Sequence, residues 1–217
     1  MNPADYEGWY DTPRGRWIAG VEHALMRELL RPAPGESVLD VGCGTGHFTR
    51  LFAADTGGPT VGLDPDREWL AYAAARGGAS YVDGRAEALP FPHRSFDCTV
   101  SVTALCFVQD QARALREIVR VTRRRFVLGL LNRHSLLYLQ KGRGGGSGAY
   151  AGAHWHTPSE IRALLAPLPV ANVVIRSAVV LPGGGACARA VERAWPQGVL
   201  LGGFLAVAAD VVPGRRD

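Results

Sequence analysis

"VLDVGCGTGHFTR", residues 38–50, sets three glycines at alternate positions directly behind an apolar run. The run reads as a short buried strand, and Phe48, Leu51 and Phe52 beyond it resume a helical spacing. Between them Gly42, Gly44 and Gly46 make a sharp strand-to-helix turn. A ligand can approach such a backbone closely, because glycine has no Cβ. The start of the following helix favours negative charge. A dinucleotide fingerprint needs G-x-G-x-x-G, but the spacing here is G-x-G-x-G, and His47 stands where the third glycine would fall. No Gly-Lys-Ser/Thr follows, so the phosphate-loop pattern is absent as well. A carboxylate satisfies the turn without any phosphate.

Alternating strands and helices extend outward from this turn. Upstream, Ile18, Val21, Leu25 and Leu29 mark an amphipathic helix over 16–30, ended by Pro32 and Pro34. Downstream, strands are predicted at 59–64, 79–84, 96–103 and 125–132. Helices are predicted at 65–77, with Pro65 at its start and Gly77 past its end, and at 110–122. The order implies parallel pairing in an α/β sandwich with helices on both faces. Six of the 13 residues in "KGRGGGSGAYAGA" (141–153) are glycine, which predicts a loop without regular structure. "TPSE" (157–160) has the capping-box pattern and opens a helix to about Leu168. A strand at 171–181, a short helix over "GACARAVERAW" and a last strand near 203–212 complete the chain.

Composition narrows the function. The 217 residues suit one domain, and the apolar fraction of 47% supplies a sizeable core. The net charge is +4, with Lys141 the only lysine and Arg123-Arg124-Arg125 the densest basic run. No basic stripe with interleaved aromatics is visible, so nucleic acid is not an expected partner. Cys43, Cys98, Cys106 and Cys187 form neither a CxxC pair nor a zinc-spaced cluster, so no metal site is expected and reduced, cytoplasmic thiols are the default. The first residues, polar and aromatic, do not read as a signal peptide. The most apolar segment, 198–212, is too short for a membrane span of about 20 residues.

With these residues in view, "LDVGCGTG" (39–46) resembles the first motif of the class I S-adenosylmethionine-dependent methyltransferases nearly letter for letter. In that family the loop holds the methionine part of the cofactor. Asp64 lies 18 residues after Gly46, where the family places an acidic residue on the ribose hydroxyls. One carboxylate matches a vicinal diol by accepting two hydrogen bonds. "DGRAEALPFPHRSFD" (83–97) is similar to the stretch that grips adenine, with the amide falling to Ala86. Many relatives carry Asp where this chain has Arg85, which can stack on the ring but cannot accept a hydrogen bond. The cofactor-binding set that the resemblance implies is Asp40, Gly42, Cys43, Gly44, Gly46, Asp64, Pro65, Arg85, Ala86, Thr103 and Tyr10. Tyr10 either closes over the cofactor or anchors the first helix.

The resemblance also implies a Rossmann-like three-layer α/β sandwich. Its seven-stranded sheet has the order 3-2-1-4-5-7-6 and is parallel except for strand seven. A single methyltransferase domain spans 1–217: an N-terminal cap helix region at 1–34, a cofactor-binding core at 35–135, and a substrate-side loop with C-terminal strands at 136–217. The implied activity is methyl transfer from S-adenosyl-L-methionine to a small-molecule oxygen or carbon, by a monomer or homodimer. "VTALCFVQD" after strand four carries neither the D/N-P-P-Y/F motif of amine-directed DNA enzymes nor a Pro-Cys nucleophile. Leu105, Cys106 and Phe107 instead offer an apolar wall. Proton acceptors are sought among His134, beyond strand five, and His154 and His156, which flank Trp155 beyond the glycine-rich loop and could form a lid with it. A methyltransferase acting on RNA or protein, and a catalytically silent cofactor-binding partner, remain alternatives; a nicotinamide oxidoreductase is disfavoured by the glycine spacing.

Overall fold

The computed structural model describes residues 2–212. Seven strands, β1 (Val38–Val41), β2 (Thr60–Asp64), β3 (Ser80–Asp83), β4 (Phe96–Val102), β5 (Thr122–Leu131), β6 (Val170–Ala178) and β7 (Phe204–Val211), form one sheet. Its order is β3-β2-β1-β4-β5-β7-β6. The pairs among β1 to β5 are parallel, and β7 runs antiparallel to both β5 and β6. Side chains alternate between the two faces, as a strand's period of two demands. Phe126, Leu128 and Leu130 join one apolar cluster with Leu115, Ile118 and Leu165. Val127, Phe204 and Ala206 join the other, with Met26, Leu30 and Phe52.

The helices among the described residues are α1 (Pro3–Tyr10), α2 (Pro13–Leu30), α3 (His47–Thr56), α4 (Arg67–Arg76), α5 (Gln111–Val121), α6 (Pro158–Leu165) and α7 (Ala186–Ala194). The capping box forms: Thr157 Oγ1 accepts from the Glu160 amide at 3.2 Å while the Thr157 amide donates to Glu160 at 2.6 Å. No helix among the described residues is long and apolar enough to cross a membrane.

Four local expectations change. The helix α1 lies where no helix was expected; Asn2 caps it and Pro3 opens it. The helix α4 starts at Arg67, not Pro65, because Asp66 is the cap and accepts from the Glu68 and Trp69 amides. The helix α6 stops at Leu165, short of Leu168. The glycine-rich stretch is not without regular structure: it folds as short helical turns, Tyr138–Gly142, Arg143–Gly145 and Gly148–Tyr150. Glycine makes this compaction feasible, since Gly144, Gly145, Gly146 and Gly148 all have positive φ.

The Arg123–Arg125 run is used internally. Arg123 pairs with Asp97 at 3.1 Å and Arg124 with Glu36 at 2.7 Å. Arg125, only 2% exposed, pairs with Asp210 and donates to the Leu29 carbonyl.

Candidate cofactor and acceptor site

The turn after β1 is built by three left-handed glycines, with φ of 77° at Gly42, 53° at Gly44 and 75° at Gly46. The Gly42 and Cys43 amides both donate to the Leu63 carbonyl, at 2.7 and 3.0 Å, which ties the turn to the end of β2. A Cβ on Gly42 would stand 2.1 Å from that of Ala104, so the turn and the end of β4 meet only because a side chain is missing.

Two carboxylates flank this turn. Asp64 Oδ2 accepts from the Gly44 amide at 2.9 Å, and its Oδ1 accepts from the Asp66 amide at 3.0 Å. A carboxylate has about four acceptor positions, so two remain for a diol. Burial raises the Asp64 carboxyl above its ordinary value. Asp40 is 1% exposed; its Oδ2 accepts from Thr49 Oγ1 at 2.6 Å, while Oδ1 is buried with no partner among the described residues. Burial, reinforced by the charge of Asp64, pushes Asp40 up to about 7. A buried, unpartnered carboxylate oxygen is costly unless a ligand donor meets it. The α-ammonium of an amino-acid tail supplies such a donor, and S-adenosylmethionine carries both that tail and a ribose diol. The residues present therefore fit this cofactor.

A cavity of about 1210 Å³ opens beyond the carboxyl ends of the strands. The whole implied set faces it except Gly46, whose role is in the turn: Asp40, Gly42, Cys43, Gly44, Asp64, Pro65, Arg85, Ala86, Thr103 and Tyr10. Burial raises the Cys43 thiol far above its usual range, so it stays neutral. Thr103 itself takes φ of 56°, in the left-handed region. Arg85 lies 3.4 Å from Glu87, and both line the cavity. Tyr10 stacks on His47, with ring centroids 3.8 Å apart and planes 7° from parallel.

The helix α1 closes one side of the cavity and is bolted to the glycine turn. Glu7 accepts from Thr45 Oγ1 and Arg50 Nη2, and its carboxyl stays below its usual range despite burial because these partners and His47 favour the charged form. The turns at 138–150 close another side through Gln140, Lys141 and Tyr150.

The three histidines fall outside the cavity lining. His134 is exposed beyond β5. His154 is exposed, and its amide donates to the Cys106 carbonyl at 2.7 Å. His156 is fully buried; its Nε2 lies 3.0 Å from Gln111 Oε1, and burial lowers its pKa to about 4, so it is neutral at neutral pH. Trp155 is buried against Tyr138 and Tyr150, so the HWH stretch packs on the turns and does not line the cavity.

Sequence reasoning missed Glu22. It lines the cavity, has no hydrogen-bond or ion-pair partner among the described residues, and burial pushes its carboxyl up to about 8. The signal was present: a carboxylate one helical turn from Ile18, inside the apolar stripe that defines α2. Trp69 was missed too; it packs on the glycine turn, 3.3 Å from where a Gly44 Cβ would sit.

Comparison with known proteins agrees with this geometry. A family model described as a methyltransferase domain matches residues 39–128. Over 213 residues the chain is 34% identical to an uncharacterized protein of Mycobacterium tuberculosis, covering 95% of this chain and 71% of that one. It is 41% identical over 120 residues to the malonyl-(acyl-carrier protein) O-methyltransferase of Pectobacterium atrosepticum, an overlap of 54% of this chain and 45% of the relative. An S-adenosylmethionine-dependent methyltransferase from Thermotoga maritima shares the fold with a TM-score of 0.77 at 23% identity, over 95% of this chain and 94% of that one. The geranyl diphosphate C-methyltransferase of Streptomyces coelicolor, solved with S-adenosyl-L-homocysteine, shares it with a TM-score of 0.64 at 14% identity, over 88% and 75%. The chain belongs to the class I S-adenosylmethionine-dependent methyltransferases, and S-adenosylmethionine is the cofactor it uses.

Proposed function

We propose that this methyltransferase alkylates oxygen or carbon of a small-molecule acceptor by in-line displacement. The observation that carries this reading is the cavity. Its 1210 Å³ exceeds the ~300–1,000 Å³ usual for one small ligand, leaving room for donor and acceptor together. Its lining joins the glycine turn and its carboxylates to Tyr6, Trp9, Leu105, Phe107 and Tyr150, which suit an apolar or flat acceptor.

In this reading Asp40 Oδ1 receives the ammonium of the methionine tail, the free acceptor positions of Asp64 receive the ribose diol, and the Ala86 amide with Arg85 meets the adenine. S-adenosylmethionine, when bound, supplies a methyl group already activated by its positive sulfur. The protein's work is alignment and exclusion of water. His134, His154 and His156 have no part in it, being outside the cavity.

Replacing Asp64 with alanine is expected to weaken S-adenosylhomocysteine binding by about 1–3 kcal/mol, the range for charged hydrogen bonds. Titration calorimetry measures it, and unchanged affinity would count against the ribose assignment. The pH dependence follows from Asp40, whose folded pKa of about 7 lies above the unfolded value. Its contribution to apo-protein stability is therefore full below about pH 4 and lost as pH rises through 7. The ammonium needs the ionised carboxylate, so S-adenosylhomocysteine affinity is expected to climb about tenfold from pH 6 to 8. Asp40→Asn should flatten that climb.

The functional reading is tested with methyl-labelled donor, a panel of small hydroxyl and carbon-acid acceptors, and bulk RNA and protein. Label in a small product is expected. Label confined to RNA or protein, or no transfer at all, would overturn it.

A further inference from the structure

Resting on that reading, we infer that Glu22 is the general base of the reaction and that the acceptor is a phenolic or enolic hydroxyl. Arg14, Ile18 and Glu22 recur every four residues along α2, so they share one helical face, and all three line the cavity. Glu22 is the carboxylate of that face, and it has no partner among the described residues to hold or neutralise it. Burial and the charge of Glu22 raise the pKa of the Tyr6, Tyr10 and Tyr150 hydroxyls, so Glu22 stands among the aromatic groups that line the cavity. Of the other carboxylates lining the cavity, Asp40 and Asp64 are held by Thr49 and by backbone amides at the glycine turn, Glu87 pairs with Arg85, and Asp5 is exposed.

The chemistry of the surroundings selects the acceptor. Arg14 and Lys141 also line the cavity, and neither has an ion-pair partner among the described residues. Two cations disfavour an ammonium acceptor and stabilise negative charge developing on oxygen. Burial places Glu22 near 8, within about two units of a phenol near 10. An aliphatic alcohol, about as weak an acid as water at ~15.7, lies far beyond its reach. Proton transfer is most effective when the catalytic group is matched to the task in this way.

The step balances. The O–H bond breaks, its electron pair stays on oxygen, and the proton passes to a Glu22 carboxylate oxygen. The O–CH3 bond forms as the CH3–S bond breaks, and that pair remains on sulfur, leaving a neutral thioether. Glu22 then loses its proton to water. The positive sulfur of the donor favours ionised Glu22, so donor binding itself prepares the base. The ionisable groups that feel Glu22 are Tyr6 and Tyr10 on α1 and Tyr150 on the turns, while Arg14 and Lys141 line the same cavity.

Two measurements test this with Glu22→Gln, an isosteric change whose folding is checked by circular dichroism. First, calorimetry at pH 7.5 in buffers of differing ionisation enthalpy counts protons released on binding. S-adenosylmethionine should release more than S-adenosylhomocysteine in wild type, and the difference should vanish in the variant. Asp40 cancels from that difference, since both ligands carry the same ammonium. An equal difference in both proteins would overturn the assignment. Second, turnover is followed with catechol and 4-methylphenol as phenols, benzyl alcohol and benzylamine. Wild type should methylate a phenol, with kcat rising as pH passes through the Glu22 titration. The variant should lose about 10²–10⁴-fold in kcat, together with that pH limb, while keeping its S-adenosylhomocysteine affinity. Turnover of only the alcohol or amine, of no phenol, or of a phenol equally well by the variant would refute the inference. If wild type bound neither donor nor its product, the donor reading itself would fall.

Discussion

Gly42→Ala is expected to cost about 2–5 kcal/mol of stability and to abolish measurable S-adenosylhomocysteine binding at ordinary ligand concentrations. Two effects combine. The residue sits at φ of 77°, where a Cβ costs about 1–2 kcal/mol. The new methyl would stand 2.1 Å from the Ala104 Cβ, and such overpacking adds about 1–3 kcal/mol. Relief requires the β1 turn and the Ala104–Phe107 segment to separate, and both line the cavity. Gly57→Ala separates the effects: it also has positive φ, at 62°, but meets nothing within 4 Å. It should therefore show the backbone cost alone and leave binding intact. Pairing Gly42→Ala with Ala104→Gly should recover the overlap portion, a coupling that chemical denaturation of the four proteins measures.

Phe52→Ala carries the second large effect, about 3–5 kcal/mol, as for other buried phenylalanines. Phe52 is fully buried on α3, inside the cluster that joins α2 and α3 to the sheet. Its ring meets His23 of α2 edge-on, at 5.1 Å between centroids, so its loss opens a cavity bounded by two helices. For a domain of this size the midpoint of thermal unfolding should fall by roughly 6–20 °C. Phe52 does not line the ligand cavity, so the folded fraction at low temperature should bind S-adenosylhomocysteine nearly as tightly as wild type. A loss under about 1 kcal/mol would mean that α3 docks on the sheet by other contacts.

The sheet and its turn were legible in the sequence because their causes are local. A parallel strand is buried on both faces, so β1, β4 and β5 appear as short apolar runs, and left-handed turns appear as glycines. Asp64 was legible from its interval to the glycine turn. By contrast, α1 has no apolar period. It is held by Glu7, whose partner Arg50 lies 43 residues away, and by Tyr10 stacked on His47. His156 misled for the same reason: it reads as a base until Gln111, 45 residues distant, is seen to fix its ring. Glu22 lay open to view, but a carboxylate within an apolar stripe gains meaning only once a cavity is known to face it.

Binding of donor and product bears most directly on the account. Purified protein is titrated calorimetrically with S-adenosylmethionine, S-adenosylhomocysteine and a nicotinamide dinucleotide. Uptake of the first two with one site per chain, weakened by both Asp40→Asn and Asp64→Ala, and no heat from the third, is the expected result. Uptake of the dinucleotide in their place, or binding of the sulfur compounds indifferent to both carboxylates, would contradict it.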